Sequence, residues 1–144
     1  MTESIVLTVR RNFAASPERV FDAWLDPEMA RRFLFATPEG EMQVVEIGAR
    51  VGGRARIVER RPGGDAAHRL KFEAIERPHR LVFLFAADPA AEGEWTRVTI
   101  EIAPSATGCT LTLTHEMDPQ WAAYEDRTRH GWTTILDSLA RITE

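Results

Sequence analysis

The sequence predicts an α+β fold: a curved antiparallel sheet wrapped around one long C-terminal helix, with two short helices after the first strand. Three observations lead to it. Apolar and polar residues alternate through short runs separated by turn residues, the period of half-buried strands. Two helix-start signals follow the first run with almost no linker. The last segment repeats apolar residues at steps of three or four.

The first strand spans 4–13, with Ile5, Leu7 and Val9 on one face. Ser16-Pro17-Glu18 then supplies an N-cap, a proline at the first helical position and an acid in the first turn. Val20, Phe21, Trp24 and Leu25 recur at helical spacing. Asp26-Pro27-Glu28 repeats the signal for a second helix to about Phe33. Strands follow at 42–47 and, after Gly52-Gly53, at 54–61. Pro62-Gly63-Gly64-Asp65 reads as a turn before a strand at 68–76, which puts Leu70, Phe72 and Ala74 on one face. Further strands occupy 81–85, 95–102 and 109–115. The last of these alternates Cys109, Leu111, Leu113 and His115 with three threonines, so one sheet face is wet. Asp118 and Pro119 open a helix to about Thr143, with Trp121, Tyr124, Thr128, Trp132, Ile135, Leu139 and Ile142 as its apolar stripe. Gly131 interrupts that helix at a cost of about 1 kcal/mol against Ala, and a close backbone approach there would offset it.

The chain has 144 residues and a formal charge of −4, which suits one domain over 1–144 and argues against nucleic acid as a partner. Its basic residues are 17 Arg and the single Lys71, so a Schiff-base mechanism would rest on one side chain. Cys109 is the only cysteine, which excludes an internal disulfide and a cysteine zinc cluster, and it reads as a small buried hydrophobe. His68, His79, His115 and His130 lack ligand spacing, so no metal and no cofactor is expected. No apolar run suits a signal peptide or membrane insertion, and the expected location is cytoplasmic.

Several stretches together carry a family likeness. They are Phe13-Ala14-Ala15-Ser16-Pro17-Glu18-Arg19-Val20-Phe21-Asp22-Ala23-Trp24, Asp26-Pro27-Glu28 and Arg50-Val51-Gly52-Gly53-Arg54. Pro78-His79-Arg80-Leu81-Val82-Phe83, the segment 108–115 and His130-Gly131-Trp132 complete the set. From about residue 7 to 142 the chain resembles the helix-grip fold of the START-like (SRPBCC) superfamily, and within it the family related to the C-terminal domain of the Hsp90 ATPase activator Aha1. Phe33-Leu34-Phe35 stands where that family usually has an aromatic pair, and Gly48-Ala49 where it commonly has an acid.

The resemblance implies a cavity between sheet and helix that holds a small apolar or amphipathic molecule. Phe72, Phe83, Phe85, Ile100, Leu113, Trp121, Tyr124, Thr128 and Trp132 are the expected lining, with a filled core as the alternative for each. His115 is the sharpest polar candidate, pointing inward by strand parity, and His68 shares the face of Leu70 and Phe72. Such imidazoles orient a carbonyl or work as acid and base, or else simply bond to backbone at strand ends. Arg54 and Arg56 either flank the mouth and attract an anion or are solvated. No catalytic residue is assigned. The alternatives to a binding protein are a polyketide cyclase/aromatase-like enzyme and a protein-interaction module. Hsp90 is not an expected partner, because the chain has no room for the activator's N-terminal domain. A homodimer stays open.

Overall fold

The alternating runs pair into one seven-stranded antiparallel sheet in a computed structural model that describes residues 5–87 and 95–144, apart from the Trp121 side chain. The strands are β1 (Ile5–Phe13), β2 (Glu41–Ile47), β3 (Arg54–Arg61), β4 (Gly64–Glu76), β5 (Arg80–Ala87), β6 (Thr96–Ser105) and β7 (Gly108–Met117). Their spatial order is β1-β7-β6-β5-β4-β3-β2. Six strands thus form a meander, and β1 docks on its last member. The helices α1 (Pro17–Ala23) and α2 (Pro27–Phe33) lie between the two edge strands in sequence, and α3 (Glu125–Thr143) follows β7. This is the curved sheet and gripping helix expected from the sequence.

The local signals act as read. Ser16 Oγ accepts from the Arg19 amide at 3.2 Å, and Asp26 Oδ1 from the Glu28 amide at 2.9 Å. Register brings the apolar faces together: Val98 opposes His115, Ile100 opposes Leu113, and Leu7 opposes His115 from the other side. Three departures matter. Strand β4 begins at Gly64, four residues before the predicted start at 68, because the turn between β3 and β4 is tight. Register shifts in β4 between Phe72 and Ala74, so Ile75, not Ala74, opposes Leu81 and packs on the core. The predicted single C-terminal helix is broken: Pro119–Tyr124 form a 3₁₀ turn, and α-helical bonding begins at Glu125.

Helix α3 is fixed most firmly near its C-terminus. Leu136, Leu139 and Ala140 are buried there. The Arg19 guanidinium donates to the carbonyls of Thr143 at 2.9 Å and Ile142 at 3.1 Å, satisfying acceptors that the helix end leaves open. Arg11 Nε donates to Asp137 at 3.0 Å, and the Ala14 amide donates to Glu144 at 2.9 Å. The stripe seen in the sequence therefore continues along the whole helix, but only its second half is closed.

Candidate ligand-binding site

A pocket of about 630 Å³ opens beside the first half of α3. Its walls come from three places: Phe35–Thr37 after α2, the facing ends of β4 and β5 with His68 and Phe85, and the α3 side chains from Thr128 to Ile135. The β4–β5 register explains the middle wall, since Leu70 opposes Phe85 and His68 opposes Ala87. Aromatic rings dominate the wall. Phe35 lies parallel to the His68 imidazole with centroids 4.0 Å apart, and it stacks on Phe85 at 5.3 Å. Trp132 meets Phe35 at 5.8 Å and Phe85 at 5.9 Å, the latter edge to face.

Phe35 holds its place at a backbone cost. Its φ is 59°, a left-handed conformation that costs a side-chain-bearing residue about 1–2 kcal/mol. The anchor is Glu59 on β3, which is 1% exposed. Its carboxylate accepts from the Thr37 amide at 2.8 Å, the Thr37 hydroxyl at 3.0 Å and Arg61 Nε at 2.6 Å. Arg61 Nη2 donates in turn to the Phe35 carbonyl at 3.0 Å. Burial works against the Glu59 charge, but the hydrogen bonds from Thr37 and Arg61 outweigh it and hold the carboxyl below its usual range. Any side chain at Gly40 would collide with that carboxylate. The aromatic wall thus rests on an ion pair whose carboxylate is buried and whose guanidinium is partly exposed.

His115 is inward, as parity predicts, but it lies behind the wall. It is 2% exposed, and both ring nitrogens are engaged. Trp132 Nε1 donates to Nδ1 at 3.0 Å. An indole only donates, so Nδ1 accepts and Nε2 carries the proton. Nε2 donates to Thr96 Oγ1 at 2.7 Å, and that hydroxyl donates to the Phe85 carbonyl at 3.3 Å. Burial pushes the imidazole down to about 4, so it is neutral near pH 7. The relay orients Trp132; it does not present a proton to the pocket.

The expected lining divides accordingly. Phe85, Tyr124, Thr128 and Trp132 border the pocket. Phe72, Phe83, Ile100 and Leu113 do not; they are buried in the core cluster, where the sheet and the closed half of α3 leave them no free face. His115 is likewise absent from the lining. The Trp121 side chain lies outside the described residues. Arg54 and Arg56 border a different depression with Trp95, so they do not flank this mouth. Cys109 is buried, and burial followed by the Glu18 charge raises its thiol. Sequence reasoning missed Phe35, Arg61, Arg127 and Gly131 as lining residues. Gly131 has no close backbone neighbour: a Cβ built there meets nothing within 4 Å, so the missing side chain leaves pocket space. Among the described residues no group of three or more His, Cys, Asp or Glu side chains is placed to hold a metal ion. No helix among them is long and apolar enough to cross a membrane.

A family model described as activator of Hsp90 ATPase homolog 1-like protein matches residues 14–144. Among solved structures, a Chromobacterium violaceum protein is 27% identical and superposes with a TM-score of 0.85, covering 96% of this chain and 97% of that one. A Staphylococcus aureus protein of unknown function is 15% identical with a TM-score of 0.85, covering 99% and 94%. The solution structure of an AHSA1-like protein from Aeromonas hydrophila is 22% identical with a TM-score of 0.77, covering 95% and 90%. Comparison with curated proteins gives no match.

Proposed function

The chain belongs to the activator of Hsp90 ATPase homolog 1-like family, and on that premise we propose that it binds a small apolar or amphipathic molecule between the first half of α3, Phe35–Thr37 and the facing ends of β4 and β5. One observation carries the reading: a pocket of about 630 Å³ whose inner wall is built of Phe35, Phe85 and Trp132. Ligand sites are commonly concave, about 300–1,000 Å³ and mostly apolar with a few polar groups. The site also spends stability on its shape. Phe35 is held left-handed, and Gly131 omits a side chain that the helix would otherwise favour. The cyclase-like alternative loses support at His115, which is neutral, doubly hydrogen-bonded and behind Trp132.

The test is titration with N-phenyl-1-naphthylamine, a neutral fluorophore that brightens in apolar sites. Saturable one-site enhancement is expected, and Gly131→Leu should weaken it at least about tenfold by filling the pocket. A flat titration, or enhancement indifferent to Gly131→Leu, overturns the reading.

A further inference from the structure

The pocket's charge runs against that of the chain. The sequence carries a formal −4, yet the described lining includes Arg61, Arg127, His68 and His130 and no carboxylate. The two arginines differ in what they are already doing. Arg61 is committed to Glu59 and the Phe35 carbonyl. Arg127 is exposed at the mouth, with its guanidinium over the Tyr124 ring at 5.6 Å. Among the described residues no carboxylate pairs with it; neighbouring Glu125 reaches Arg129 at 3.7 Å instead. Helix stability does not account for a cation here either, because the first turn of a helix favours acids.

We infer that the pocket selects anions: its ligand is a small molecule with a flat apolar body and a carboxylate, the body against Phe35 and Trp132 and the carboxylate toward Arg127. This rests on the binding function proposed above and narrows its ligand class. The ring wall offers the body a flat face, since Phe35 and His68 are within 6° of parallel. A guanidinium offers a carboxylate paired donors, and such charge-assisted bonds are shorter and about twice as strong as neutral ones.

Three probes with one body separate charge from shape: 2-naphthylacetate, 2-naphthaleneethanol and 2-(2-naphthyl)ethylamine, titrated by calorimetry into the full chain. The acid should bind about tenfold more tightly than the alcohol, and the amine more weakly than either. Raising salt from 0.05 to 0.5 M should shrink the acid's advantage, since the mouth is solvated. Arg127→Gln should cut the acid-to-alcohol ratio to about twofold, and Arg127→Lys should keep most of it. Equal affinity for acid and alcohol, or a preference that Arg127→Gln leaves intact, overturns the inference while the apolar pocket stands. Failure of all three probes to bind overturns the pocket and the inference together.

Discussion

At its C-terminal end α3 sinks Leu136, Leu139 and Ala140 into the core, and Arg19 closes its last carbonyls. At its N-terminal end, just after Tyr124 of the 3₁₀ turn, the same helix shows solvent Arg127 and borders open space with Thr128, Gly131 and Thr134. One amphipathic stripe runs through both ends, with Trp132 at the boundary. The difference is what faces the stripe. The second half meets closed sheet, α1 and α2, whereas the first half meets a wall held back by the Glu59 anchor. Stability is concentrated at one end of the helix, and space is kept at the other.

Truncation should separate the ends most sharply. Leu139→Ala removes a side chain with no exposed surface and should cost about 2–5 kcal/mol in urea denaturation. Thr128→Ala, about three helical turns nearer the mouth, should cost less than about 0.5 kcal/mol. Comparable losses would erase the contrast.

Acid should act at the boundary. The folded His115 sits at about 4 against an ordinary 6.5, so below 6.5 the unfolded chain takes up a proton that the folded chain refuses. The His115 contribution is therefore whole above pH 6.5 and drains away as pH falls toward 4, by about 3 kcal/mol in total. Glu59 and Asp22, the second held low chiefly by its Arg77 hydrogen bond, lose their contributions only at the acid end of that range and below. Denaturation midpoints from pH 7 to 4.5 should fall in the wild type and flatten in His115→Gln. An equal slope in both would remove the neutral imidazole from the description.

Two smaller effects sharpen the contrast. Arg19→Ala should cost about 1 kcal/mol and speed amide exchange in the last turn of α3 without disturbing Thr128 to Trp132. Gly131→Ala should stabilise the fold by about 0.5–1 kcal/mol, because its methyl meets open space and the helix favours Ala. Destabilisation by that methyl would show that the first half of α3 is already closed.

Much of the fold could be read directly. Ser16-Pro17 and Asp26-Pro27 start helices where they should, and the alternation from Cys109 to His115 names the buried face of β7. The site was less legible. Parity showed His115 pointing inward but carries no information about depth, so Trp132 standing between it and the pocket was invisible. Phe83 and Phe85 share a face, yet one is sealed and the other borders the pocket, because only the end of β5 reaches beyond the closed half of α3. Phe35 looked like part of an aromatic run after α2. Its wall position depends on Glu59, distant in sequence, and no local pattern predicts a left-handed phenylalanine. Gly131 was read through what it costs the helix, and its value lies in the volume it leaves empty.

The most direct measurement follows the indole N–H signals of the four tryptophans by ¹⁵N–¹H NMR while 2-naphthaleneethanol is added. Trp132, identified by Trp132→Phe, should shift saturably, because its ring borders the pocket and its N–H bonds to His115. Trp24, buried among Phe33 and Phe83, should stay in place. A Trp132 signal unmoved at saturating probe would contradict a ligand pocket at the open end of α3.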